Sequence, residues 1–194
     1  MRVTFVPVLC VCVCAAFATA CASSPADDPK AAKKIFDAGV AAYDAKDYAE
    51  AFRLFSSIDE TDLAAMRNVA LMLRKGLGVA KDPKAAEDMY KRAAEGGLAT
   101  AAADLGEMLL NGEAGPAHPK AALPWLLGAA SAGHPIAALE AGEILEEGTA
   151  VPRDIPAARK LYGQAAAAGL DEAVRRLAAL PADDGPAAAP VSKP

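Results

Sequence analysis

The sequence is poor in the residues that build chemical sites. Its 194 residues include two histidines, one tryptophan and four cysteines, and 5% of the chain is aromatic. The cysteines (Cys10, Cys12, Cys14 and Cys21) all fall within the first 21 positions. Beyond them no intramolecular disulfide can brace the fold. His118 and His134 each stand just before a proline, which is a helix-start setting. A metal site needs several ligands converging at suitable spacing, and this pair offers none. Positive charge is short as well: 20 Lys and Arg against 25 Asp and Glu leave a net charge of -5. That excludes the clustered basic surface on which phosphate and nucleic-acid binding depend. Gly76-Leu77-Gly78 is no phosphate loop, since it follows a helical stretch and lacks a Lys-Ser or Lys-Thr after it. The expectation is a chain with no catalytic residues, no metal and no cofactor.

What is abundant is small and apolar. Hydrophobic residues make up 54% of the chain, and with so few aromatics the excess is mostly alanine. Alanine loses no side-chain entropy in a helix, so the composition favours an all-α fold over a sheet.

The N-terminal residues carry an export signature. Arg2 supplies positive charge, residues 3–17 are uncharged and apolar, and Ala18-Thr19-Ala20 provides small residues before Cys21. Residues 1–20 are therefore expected to be a signal peptide, too short for a comfortable membrane span. Ala18-Thr19-Ala20-Cys21 resembles a bacterial lipobox, which implies a lipid on Cys21 and anchoring through that lipid alone. Ala22, where Asp would resemble an inner-membrane retention signal, points to the outer membrane, facing the periplasm. Ordinary cleavage after Ala-x-Ala, leaving a soluble periplasmic protein, stays open. Residues 21–30 read as the lipidated cysteine and a flexible tether. Residues 181–194, rich in Pro, Ala, Asp and Gly, read as a disordered tail.

Between those ends the chain repeats. Gly76, Gly112 and Gly148 are 36 residues apart, as are Gly97, Gly133 and Gly169. The pairs Ala93-Ala94, Ala129-Ala130 and Ala165-Ala166 share that register, as do Met89-Tyr90, Trp125-Leu126 and Leu161-Tyr162. Such a period indicates stacked supersecondary units, a solenoid. Each unit reads as two helices. The first ends at Gly76, Gly112 or Gly148, and residues 135–147 carry its pattern most plainly. The second starts at Asp82-Pro83, His118-Pro119 or Asp154-Ile155-Pro156, with His118 in the capping place of the two aspartates. Small residues at Ala70, Gly106 and Gly142, and at Ala86, Ala122 and Ala158, allow close helix approach.

The run Gly76-Leu77-Gly78-Val79, Asp82, Ala86, Tyr90, Ala93-Ala94 and Gly97 resembles the Sel1-like repeat, a relative of the tetratricopeptide repeat (TPR). The second copy departs from it at Ala114-Gly115-Pro116 and the third at Thr149-Ala150-Val151. The resemblance implies an α/α solenoid of Sel1-like, TPR-like helix-turn-helix repeats at residues 61–97, 98–133 and 134–169. Gly39, Tyr43, Asp47-Tyr48, Ala51 and Phe55 resemble a TPR-like unit at 31–60 with a shorter inter-helix loop. Residues 170–180 repeat only a first helix, with Arg175 and Arg176 expected on the polar outer face of a cap.

The resemblance further implies a monomeric domain that binds periplasmic or envelope proteins through the concave face lined by first helices. By register that face carries Arg67, Leu71, Arg74 and Lys75, then Thr100, Glu107, Leu110 and Asn111, then Glu143, Glu146 and Glu147. The groove is expected to run from a basic to an acidic end over an apolar floor, suited to an extended peptide or partner helix. Ordinary exposed helix faces remain the alternative, with Glu140, Glu143, Glu146 and Glu147 as a solvated acidic face. Carboxylate-clamp residues do not line up, so chaperone-tail binding is not implied. Some Sel1-like proteins are described as beta-lactamase-like or penicillin-binding; they pair a Cys in each repeat, and this chain has none after Cys21. Binding of peptidoglycan by the acidic helix is a further alternative.

Overall fold

The computed structural model describes residues 29–58 and 61–181. The expected signal, Cys21 with most of its tether, and the tail from residue 182 lie outside the described residues. Pro29 and Lys30, expected in the tether, instead open the first helix. Among the described residues there are nine helices and no strand. They are α1 (Pro29–Asp44), α2 (Tyr48–Ser56), α3 (Leu63–Lys75), α4 (Pro83–Glu95), α5 (Ala99–Asn111), α6 (Pro119–Ser131), α7 (Pro135–Glu147), α8 (Ile155–Ala167) and α9 (Asp171–Ala179). Consecutive helices pack as hairpins, and α5 also touches α7 directly. No pair of second helices makes contact of comparable extent. First helices thus face one another on the inner side of the stack at α5 and α7, and ion pairs carry that side on from α3 to α5 and from α7 to α9.

Local chemistry sets the helix ends. Gly76, Gly112 and Gly148 adopt φ of 72°, 64° and 67°, and each donates its backbone N–H into the helix it closes. An L side chain is strained there, which is why glycine returns every 36 residues. The loops that follow differ in sequence yet close alike. Backbone N–H groups of Asp82, His118 and Asp154 donate to the carbonyls of Leu73, Leu109 and Leu145 at 2.9, 2.8 and 2.9 Å. Asp82 and Asp154 then cap their helices, accepting from the N–H groups of Ala85 and Ala157. His118 holds the same backbone place but makes no side-chain cap bond, its exposed ring remaining in solvent. His134 does cap: its Nδ1 accepts from the Ala137 N–H at 3.3 Å.

Inside each hairpin one large side chain from the second helix enters a notch on the first. Phe55, Tyr90, Leu126 and Tyr162 are 0–3% exposed, and by register they face Gly39, Ala70, Gly106 and Gly142. A methyl group built on Gly142 would lie 2.6 Å from Tyr162 Cε1, and one on Gly39 2.8 Å from Phe55 Cε1. Alanines at 86, 93, 122, 129, 158 and 165 are fully buried around these plugs. Along the chain the plug follows its notch by 20 residues in three hairpins and by 16 in the first, because the α1–α2 loop is four residues shorter. At the C-terminal end Ala173 buries α9 against the stack. Arg176 departs from the expected outer face: it reaches across to Glu143 and Glu146 on α7. The open side of α9 keeps Arg175, exposed and paired with Glu172, and also shows Val174, 51% exposed.

The notch makes a prediction. Gly142→Leu should destabilise the fold by about 1–3 kcal/mol through overpacking against Tyr162, lowering the melting temperature by roughly 2–4 °C per kcal/mol. Gly163→Ala on α8 meets open space and should stabilise by about 0.5–1 kcal/mol. Thermal melts followed by circular dichroism check both, and a wild-type melt for Gly142→Leu would contradict the packing.

Candidate concave interaction face

The 36-residue register aligns side chains in columns across the first helices. One column holds Asn68, Asp104, Glu140 and Arg176; the next holds Leu71, Glu107 and Glu143; a third holds Lys75, Asn111 and Glu147. Residues 68, 71 and 75 share one helix face, as do their equivalents on α5 and α7. The columns therefore cross the inner side of the stack as continuous strips.

Most charges on this face bridge from one helix to the next. Arg67 Nε donates to Asp104 Oδ2 at 2.6 Å. Arg74, its side chain 10% exposed, binds Glu113 through two hydrogen bonds, one of 2.7 Å, and approaches Glu107 at 3.1 Å. Arg176 pairs with Glu143 at 3.0 Å, Glu146 at 3.5 Å and Glu172 at 3.1 Å. The Tyr162 hydroxyl donates to Glu146 at 2.7 Å. The arginines of the expected basic end are thus tied to α5 and its loop, and the charge left over along α5 and α7 is acidic.

Other expected groove residues are placed as follows. Leu71 lines a cavity of about 140 Å³ with Val40, Tyr43, Phe55 and Asn68. Leu110 packs partly into the core. Asn111 is exposed, its amide 3.5 Å from Glu113. Lys75, Thr100 and Glu147 are exposed. Asp104, Glu113 and Arg176 belong to the same face but were not among the expected groove residues. The register itself was the available signal, since Asp104 and Arg176 lie 36 residues on either side of Glu140.

Glu140 differs from the other unpaired charges of this face, Lys75 and Glu147, in not being exposed. It is half-buried, and no hydrogen bond or ion pair reaches it. Burial pushes its carboxyl up to about 7, with Glu107 and Glu143 adding to the effect and Arg74 partly offsetting it. It is therefore not the freely solvated group expected of an acidic helix face. Burial also raises Glu143, against the pull of Arg176, and raises Asp104 despite Arg67. Glu113 moves the other way, lowered by its hydrogen bonds from Arg74. Tyr90, beneath Arg74 and Asp104, is raised by burial and then by the Asp104 charge. Its hydroxyl makes no hydrogen bond of good geometry, although the Arg74 guanidinium lies near enough to offset part of that rise.

Glu140 yields a pH prediction. A carboxyl raised on folding stabilises fully below its unfolded value near 4.5, and that contribution is lost as pH rises through about 7. Glu140→Gln should therefore stabilise the protein by about 1–2 kcal/mol near pH 8, after discounting for partial exposure, and by much less near pH 5. Urea unfolding at both pH values measures this, and an equal gain at both would contradict it.

Comparison with known proteins agrees with this architecture. The Sel1 repeat model matches residues 63–98, 99–134 and 135–170, just over half the chain. A Sel1 repeat protein from Oxalobacter formigenes shares 30% identity at a TM-score of 0.66, over 73% of this chain and 58% of that one. The fold alone is shared with c5321, a protective antigen of uropathogenic Escherichia coli displaying an SLR fold (TM-score 0.71, 23% identity, 75% of this chain and 32% of that one). It is also shared with the immunity protein Pa5087 from Pseudomonas aeruginosa (TM-score 0.52, 24% identity, 77% of this chain and 58% of that one). The chain thus spans from about a third to just under three fifths of the length of these relatives, and it matches no curated protein. Three consecutive matched repeats, stacked as helical hairpins in one register, place the chain in the Sel1 repeat family.

Proposed function

We propose that this chain is a non-catalytic adaptor of the bacterial cell envelope that binds a partner protein through its concave face. Sel1 repeats typically mediate protein–protein interactions, and the repeat fold is typically non-catalytic. The observation that carries the reading is the set of side-chain columns crossing α3, α5 and α7, where exposed Lys75, Asn111 and Glu147 stand over a scaffold braced by Arg74 with Glu107 and Glu113. Such a surface is rigid and chemically varied, so a partner can be selected without a large ordering cost. Among the described residues no three His, Cys, Asp or Glu are grouped to hold a metal, and no helix is long and apolar enough to cross a membrane.

The export signature supports an envelope location. Arg2, the uncharged stretch 3–17 and Ala18-Thr19-Ala20-Cys21 fit a lipid-anchored chain facing the periplasm from the outer membrane. Several acyl chains, at about 0.8 kcal/mol per buried methylene, make such an anchor durable. Palmitate should label the wild-type chain and not Cys21→Ala. Absence of label from both would leave ordinary cleavage after Ala20 and a soluble periplasmic protein.

Partner binding is tested by affinity purification from crosslinked envelopes. Lys75→Glu and Glu147→Lys change exposed charges that no internal pair uses, so the fold should persist. Envelope proteins that co-purify with the wild type should be lost from these variants, whereas equal recovery would overturn the concave assignment.

A further inference from the structure

We propose that the open face of α9 is a docking surface for residues 184–193 of the same chain, which lie along it as a short second helix. This goes beyond the concave-face reading and does not depend on it.

The bare face is one that every earlier unit covers. Val174 is 51% exposed, whereas its counterparts 36, 72 and 108 residues earlier, Ala138, Ala102 and Met66, are 1%, 7% and 6% exposed. Ala178 is exposed as well, although Ala70, Gly106 and Gly142 at the same place are buried notches. Second helices do the covering. Met66 lines a cavity with Met89 and Arg92 of α4, and Ala102 lines another with Trp125 and Gly128 of α6.

The sequence after α9 carries the pattern of the missing element. Second helices are capped by Asp47, Asp82, His118 and Asp154, and the fourth residue after each cap is a fully buried alanine: Ala51, Ala86, Ala122 and Ala158. Asp184-Gly185-Pro186-Ala187-Ala188 repeats Asp154-Ile155-Pro156-Ala157-Ala158 with one substitution. Cap, first-turn proline and contact alanine all recur. Pro190 then stands where α6 carries Pro124 inside its helix, and Val191 where the other second helices place Leu54, Met89, Trp125 and Leu161. Composition alone marks these residues as a tail; their order matches a second helix.

The chain also leaves α9 in the required direction. Leu180 packs with Ile155, Ala158 and Tyr162 of α8, and the Arg159 guanidinium donates to the Pro181 carbonyl. The backbone thus turns toward the layer of second helices. Four residues separate α9 from Asp184, between the two that precede Asp47 and the six that precede each later cap. In all four hairpins the notch lies five residues before the end of the first helix, and the plug eight residues after the cap. The same rule sets Val174 against Ser192, and Ala178 against Ala188 one turn away. Sizes are exchanged but still complementary, since the first helix now supplies the larger side chain and the segment the smaller. Lys193 comes level with the acidic first turn of α9, Asp171 and Glu172, opposite in charge.

A photoreactive residue placed at exposed Val174 of the full chain, followed by proteolysis and mass spectrometry, tests the contact. Crosslinks should join position 174 to residues 188–193 within a monomer. No crosslink to that segment would overturn the proposal, and so would crosslinks found only between two copies. Hydrogen exchange gives a second readout. Ala188→Asp, which sets a charge against Ala178, should speed exchange of the α9 amides about tenfold and abolish the crosslink. Pro190→Ser, at a position exposed in all four second helices, should change neither. Unaltered α9 exchange in Ala188→Asp would count against the docked segment as firmly as a missing crosslink.

Discussion

The structure depends on one recurring contact: a large side chain of the second helix seated in a notch of glycine or alanine on the first. Phe55, Tyr90, Leu126 and Tyr162 are the plugs; Gly39, Ala70, Gly106 and Gly142 are the notches. The close approach lets a chain with 5% aromatics bury a core, because a single plug and a few alanines fill each hairpin. Fixed spacing within the hairpin then fixes spacing between hairpins. That brings the first helices into mutual contact and turns sequence period into spatial columns.

Charge is arranged on that frame. Positions 36 residues apart become neighbours, so each choice of residue in one unit meets the choice made in the next. Arg74 facing Glu107 and Glu113 braces α3 against α5, and Arg176 facing Glu143 braces the cap against α7. Partly buried pairs of this kind specify helix placement more than they add stability. In the middle unit the plug is Leu126, and no arginine forms an ion pair with Glu140, Arg74 acting on it only from a distance. There the scaffold leaves acidity without an ion pair on its inner face, which is where an adaptor can offer specificity to a partner.

Much of this was legible from residues alone, for local reasons. Proline after a capping residue marked the starts of α4, α6 and α7, and glycine in the left-handed conformation marked the ends of α3, α5 and α7. These signals sit within one turn of the feature they dictate, and residues 135–147 matched α7 to the residue. The loops at Gly115-Pro116 and Ala150-Val151 depart from the repeat pattern yet close as the first does, because a backbone bond holds them. What was not legible depends on distances between helices. Arg176 was assigned to an outer face because its helix pattern alone does not reveal Glu143, 33 residues earlier, across the inner side. Glu140 looks solvated for the same reason: two of the charges that act on it, Glu107 and Arg74, lie on other helices. His118 has the capping position but not the bond.

The central claim is that the inner face, and not the outer, meets the partner. Photo-crosslinking in intact cells tests it most directly, with a photoreactive residue placed singly at the exposed inner positions Lys75 and Glu147 and at the exposed outer positions Asp88 and Lys91. Discrete crosslinked species from the inner positions, absent from the outer ones, are the predicted result. Crosslinks of equal or greater yield from α4, with none from Lys75 or Glu147, would contradict it.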